Sequence, residues 1–123
     1  MYDLMIKGHF DAAHALHGYP GECCKLHGHT WDIEVVVRGS ALDEVGIVYD
    51  FKTLKADLGA VLEPLDHAYL NDVPPFDQMN PTAENLSRYI YESLTTTVGG
   101  AVSVLEVAVW ESPVAKITYR PEV

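Results

Sequence analysis

Residues 2 to 14 alternate, and this alternation constrains the fold more than any other feature of the chain. Leu4, Ile6, Phe10 and Ala12 fall on one side, and Asp3, Lys7, His9 and Asp11 on the other. That is the period of two expected of a strand with one buried face. A second such segment sets Trp31, Ile33, Val35 and Val37 against Thr30, Asp32, Glu34 and Arg38 before RGSALDEVG turns the chain. The period then changes. From Asp50, the residues Phe51, Leu54, Leu58, Val61, Leu62 and Leu65 recur at helical spacings, with Pro64 suited to the helix end. NPTAENLSRYIYESLTTTVGG repeats the spacing through Leu86, Tyr89, Ile90 and Leu94, opens on capping residues and stops at Gly99-Gly100. The proline-rich stretch at 71 to 81 is expected to be one ordered loop joining the two helices. Two strands close the chain: Leu105, Val107 and Val109 share a face, then Ala115, Ile117 and Tyr119, with Ser112-Pro113 between them. The order strand, strand, helix, helix, strand, strand predicts an α+β fold, a four-stranded antiparallel sheet with both helices on one face.

A chain of 123 residues, 48% of them hydrophobic, suffices for one domain over residues 1–123 with its own core. No apolar run reaches the roughly 18 residues of a membrane span, and MYDLMIKGHFD lacks the layout of a secretory signal. The expected location is cytoplasmic. The net charge of −10 argues against nucleic acid or an anionic membrane as partner. Cys23 and Cys24 are adjacent, so a bridge between them would be strained and close no loop.

Parity places the chemistry. His14 continues the apolar face of the first strand, and His27 and His29 continue that of the second, whereas His9 lies on the polar side. The same count puts Glu111 inward beyond Leu105, Val107 and Val109. Polar groups at the rim of an apolar layer are costly unless paired. Hydrogen bonds can pair them, and so can a divalent metal: histidines at i and i+2 of a strand lie roughly 7 Å apart at the backbone, and a third from a neighbouring strand completes a three-nitrogen set. Three protein ligands with one open position is the pattern of catalytic zinc, Zn2+. Cys23 and Cys24 are too close together for a structural zinc finger, leaving a reactive thiolate or two small buried apolar side chains. Asp66-His67 offers a proton relay, or a helix-end histidine beside a solvated aspartate.

FDAAHAL at 10–16, CCKLHGHT at 23–30, VYDFKTLK at 48–55, LDHAYLND at 65–72, NPTAENL at 80–86 and VWES at 109–112 resemble, in order and spacing, the 6-pyruvoyltetrahydropterin synthase family. The chain is most similar to the short bacterial 6-carboxytetrahydropterin synthases of the queuosine pathway. The resemblance implies a tunnelling fold, in which the sheets of several subunits join into a barrel, and a homo-oligomer, a hexamer built as a dimer of trimers. By position, His14, His27 and His29 match the zinc ligands, and Cys23 the catalytic cysteine. Asp66 and His67 match a pair that completes a proton-transfer triad with it, often across the subunit interface. Glu111 matches the glutamate that anchors the pterin ring, and Thr82 lies near that pocket. The implied reaction is that of a zinc-dependent lyase on 7,8-dihydroneopterin triphosphate, losing triphosphate and acetaldehyde to give 6-carboxy-5,6,7,8-tetrahydropterin.

Other outcomes stay open. The 6-pyruvoyl branch keeps all three side-chain carbons, and a folate branch trims the side chain to 6-hydroxymethyldihydropterin and carries glutamate near the cysteine, where this chain has Glu22 beside Cys23. A noncatalytic zinc-binding assembly protein on the same fold is the reading from a different class. Relatives often carry arginine where Ala15 stands, which leaves Lys25, Lys116 or Arg120 to hold phosphate; His17 is expected to be a surface or loop residue.

Overall fold

The computed structural model describes residues 1–18 and 25–122. Two long strands, β1 (Tyr2–His14) and β2 (His27–Gly39), pair antiparallel along their whole length. Helix α1 (Phe51–Leu62), a two-residue strand β3 (Ala68–Tyr69) and helix α2 (Ala83–Thr95) follow, and β4 (Val102–Ser112) and β5 (Ala115–Tyr119) close the chain. The sheet runs β3-β1-β2-β4-β5, with β3 parallel to β1 through Ala12–Ala68 and Ala13–Tyr69 and the other pairs antiparallel. Five strands therefore stand where the alternation predicts four. Two residues generate no periodicity, so β3 has no sequence signature.

Both helices begin as their caps dictate. The Asp50 carboxylate accepts from the Lys52 amide at 2.8 Å and the Thr82 hydroxyl from the Asn85 amide at 3.1 Å, contacts worth about 1 kcal/mol each. α1 buries Leu54, Leu58 and Leu62 over β1, and α2 buries Leu86, Ile90 and Leu94 over β4 and β5. These side chains join Phe10, Trp31, Ile33, Val35, Val107 and Val109 in one apolar cluster, each large member contributing roughly 1.5–3 kcal/mol by leaving water. Gly8 interrupts the apolar face of β1 for a steric reason: a Cβ there would stand 2.9 Å from Leu58 Cδ2, so the bare backbone lets α1 approach. Between the helices, the turn Leu70–Asp72 and the buried Leu70 and Phe76 pin the proline-rich stretch to the core.

The expected inner face of β4 needs correction. The pairing of β2 with β4 shifts between Val36 and Val37, where Val36 faces Glu106 but Val37 faces Val104. Leu105 is the extra residue, and a bulge of one residue inverts parity on its far side. The core residues are thus Val102, Val104, Val107 and Val109, while Leu105 is only half-buried. Glu111 falls at a second irregularity, between Trp110 and Ser112 in the pairing of β4 with β5, and still points inward, its carboxylate close to His14 and His29.

Candidate metal centre

The end of β1 and the start of β2 meet at the site. His14 pairs directly with His27, and His29 lies opposite Ala12, so all three imidazoles emerge on the helix-covered face. Their ring centroids are 4.5, 5.1 and 4.6 Å apart, each pair edge to face. His14 is 1% exposed, and His27 and His29 are half-buried. From β4, Glu111 Oε1 reaches 3.5 Å from His29 Nε2 and 3.9 Å from His14 Nε2. Four donor atoms, one from each of these residues, lie within 4.8 Å of one another.

Hydrogen bonding decides what this cluster can hold. His14 Nδ1 donates to the Pro81 carbonyl at 2.7 Å, and His27 Nδ1 donates to the Lys25 carbonyl at 2.7 Å. A carbonyl only accepts, so each Nδ1 carries the proton and each Nε2 of the neutral ring presents a lone pair. Those two Nε2 atoms face each other at 3.0 Å, and His29 Nε2 is buried with no hydrogen-bond partner. Burial pushes His14 below the ordinary histidine range; the Pro81 carbonyl and Glu111 pull it back, and His27 and His29 press it further down. Burial likewise lowers His29, with Glu111 opposing and His27 assisting. Three imidazoles aimed at a common point, with a carboxylate beside them, fit a divalent cation. A tetrahedral zinc with bonds of about 2.0–2.1 Å spaces its donors by roughly 3.3 Å. Trp31, fully buried, closes the inner side, its ring edge-on to His14 and His29 at 4.9 and 5.1 Å.

The pair expected to move protons lies elsewhere in the chain. Asp66 Oδ1 accepts from the Asp11 amide and stands 3.0 Å from His67 Nδ1, while the His67 amide donates to the Asp11 carbonyl at 2.6 Å. Asp11 is of opposite parity to His14, and its carboxylate accepts from Thr30 across the strand pair. This group is exposed and belongs to the other face of the sheet. The Asp11 amide, with smaller help from His67, holds the Asp66 carboxyl below its ordinary value. A single chain therefore does not bring Asp66 and His67 into the histidine cluster. Cys23, Cys24 and Glu22 lie outside the described residues.

The remaining candidates find other partners. Thr82 caps α2. His17 is exposed, and its Nε2 lies 3.5 Å from Asn71 Nδ2. Lys116 stands 3.6 Å from Glu34 Oε1 and 5.2 Å over the Trp110 ring, and Arg120 pairs with Glu106 at 3.2 Å. What sequence reasoning missed is the Pro81 carbonyl. A backbone acceptor has no side-chain signature; Pro81 lies within the Asn-Pro-Thr run that does start α2.

Residues 3–122 match the family described as 6-pyruvoyl tetrahydropterin synthase. A dihydroneopterin monophosphate aldolase of Pyrococcus furiosus is 37% identical over 88% of either chain. A 6-carboxy-5,6,7,8-tetrahydropterin synthase of Bacillus subtilis is 32% identical, covering 98% of this chain and 86% of its own. Among solved structures, the 6-pyruvoyl tetrahydropterin synthase of Caenorhabditis elegans superposes with a TM-score of 0.87 at 27% identity, over 98% of this chain and 96% of that one. With sheet order, inward histidines and near full-length matches agreeing, this chain belongs to the 6-pyruvoyl tetrahydropterin synthase family, whose fold is the tunnelling fold.

Proposed function

We propose that this protein is a zinc-dependent 6-carboxy-5,6,7,8-tetrahydropterin synthase, a lyase that converts 7,8-dihydroneopterin triphosphate and water to the 6-carboxy product, triphosphate and acetaldehyde. The observation that carries the metal is the pair of lone-pair nitrogens of His14 and His27, 3.0 Å apart and fixed by carbonyls behind them. His14, His27 and His29 hold the zinc, which when bound supplies Lewis acidity toward the side-chain oxygens of the substrate. Glu111, 38% exposed at the rim of the cluster, accepts two N–H bonds from the aminopyrimidinone edge of the pterin, a bidentate fit that orients the ring. Thr82, next to Pro81, borders that pocket. Cys23, four residues before His27, removes a proton from the side chain as thiolate. His67, oriented by Asp66 at 3.0 Å, returns protons elsewhere on the side chain.

Because Asp66 and His67 occupy the opposite face, they serve the site of a neighbouring copy, and the enzyme works as a homo-oligomer, a hexamer of two trimers. β5 pairs only with β4, and β1 is covered on its outer side by β3 at Ala12 and Ala13 alone among the described residues. Those open edges support sheet continuation between copies. The setting is the cytoplasm and the pathway queuosine synthesis. No helix among the described residues is long and apolar enough to cross a membrane.

A second reading has its own support. The Pyrococcus furiosus relative is a dihydroneopterin monophosphate aldolase, and cleavage of this kind leaves 6-hydroxymethyl-7,8-dihydropterin and a two-carbon aldehyde bearing the phosphate. The test is incubation of the zinc-loaded protein with dihydroneopterin triphosphate and, separately, the monophosphate. Acetaldehyde with the 6-carboxy product supports the first reading. A three-carbon side chain retained as the 6-pyruvoyl product, or a phosphorylated two-carbon aldehyde, moves the protein to another branch. No turnover of either substrate leaves a noncatalytic zinc-binding assembly protein.

A further inference from the structure

Past His14 the ladder between β1 and β2 ends, yet the backbone stays held on its other edge. In an extended chain the N–H and C=O of one residue point to the same side, and alternate residues share that side. Ala13 pairs with Tyr69 of β3. Two residues on, the Ala15 amide donates to Asn71 Oδ1 and the Ala15 carbonyl accepts from Asn71 Nδ2, both at 2.9 Å. Two further, the His17 amide donates to Asn80 Oδ1 and the His17 carbonyl accepts from Asn80 Nδ2, both at 2.8 Å. Each carboxamide offers one acceptor and one donor, as a peptide group does.

Both asparagines are themselves anchored. Asn71 follows the fully buried Leu70. The Asn80 carbonyl accepts from Asn85 Nδ2 at 2.8 Å and from the Thr82 amide at 2.9 Å, which ties it to the start of α2. The next residue is Pro81, whose carbonyl fixes the His14 ring. One strap thus grips the chain on both sides of the metal cluster's most buried member, and Cys23 follows His17 by six residues.

We infer that Asn71 and Asn80 are positioning residues, side-chain stand-ins for a neighbouring strand that keep Ala15 to His17 in line with β1. His14 is then held from both its ring and the backbone that follows it. The inference rests on His14 being a metal ligand and adds what orients it. Aspartate is the discriminating substitution, since it keeps the shape and the acceptor but sets a carboxylate oxygen against the Ala15 or His17 carbonyl.

The test compares wild type, Asn71→Asp and Asn80→Asp by zinc affinity, by the absorption spectrum of the cobalt(II)-substituted protein, and by thermal unfolding of the full chain. Each variant should fold, bind zinc about 10- to 100-fold more weakly, as changes behind metal ligands do, and show a shifted cobalt spectrum. A lower melting temperature with wild-type affinity and spectrum overturns the positioning role. Wild type that fails to bind zinc removes the metal reading first, and this inference with it. If a variant does not fold, hydrogen exchange on metal-free wild type decides: the Ala15 and His17 amides should be protected, and exchange as fast as in an open loop overturns the clamp.

Discussion

The two long strands border a cluster of titratable side chains on each of their faces, and the two clusters differ in what they leave unsatisfied. Inside, His14, His27, His29 and Glu111 converge under the helices, and the nitrogens that face each other have no proton to share. Outside, Asp11, Asp66, His67 and Thr30 meet one another through an amide, a carbonyl, a hydroxyl and a 3.0 Å contact between imidazole and carboxylate, all open to water. Buried lone pairs without donors are costly until a cation or a donor meets them; an exposed network can turn to water. The difference marks the inner cluster as the metal candidate, although both groups combine imidazole with carboxylate. On this face Asp66 and His67 stand clear of the histidine cluster of their own chain.

The contrast breaks most completely if the inner face holds no metal. His14→Ala should reduce a stoichiometric zinc complement to near zero by elemental analysis, and a full complement would strike His14 from the ligand set. Cys23→Ala should keep its zinc while kcat falls by about 10²- to 10⁴-fold, the usual contribution of a positioned base; unchanged turnover would refute that role. His67→Ala sharpens the separation between faces. Its turnover should fall over a similar range, again about 10²- to 10⁴-fold, with zinc affinity unaltered, and weaker zinc binding would show that the two clusters communicate within one chain. Glu111→Gln should retain zinc and raise KM by roughly 10- to 100-fold, the loss of about 1.5–3 kcal/mol in hydrogen bonds to a charged acceptor. Zinc lost together with affinity for the pterin would make Glu111 a fourth ligand instead.

The smallest effect concerns Asp66 and pH. Its carboxyl titrates below the ordinary value of 3.8 in the folded chain, so the unfolded chain takes up the proton first. The stability this gives is present above that ordinary value and is lost as pH falls through the lower folded value. Thermal unfolding of wild type and Asp66→Asn should therefore diverge at neutral pH and converge in acid, and a constant gap across that window would show that the Asp11 amide and His67 do not act on the carboxylate as described.

Alternation and helical spacing made nearly all of the fold legible, because burial of one face imposes a period that survives without knowledge of neighbours. Parity also located His14, His27 and His29, since a strand fixes which side its residues occupy. Parity breaks where a single residue changes the count. Alternation puts Leu105 in the core, whereas the pairing of β4 with β2 makes it the bulge. Strand β3 went unseen because it is too short to have a period, and the Pro81 carbonyl because it has no side chain.

What the sequence determined alone is therefore the periodic part: which residues form strands and helices, which side each takes, and that three imidazoles share one layer. Tertiary structure decided the rest, namely that the imidazoles meet, that distant carbonyls set their protonated nitrogens, and that Asp66 and His67 stand on the far side of the sheet. The physical reason is range. Periodicity is a property of adjacent residues in one segment, whereas a hydrogen bond from His14 to Pro81, across 67 positions of chain, exists only after the segments have packed.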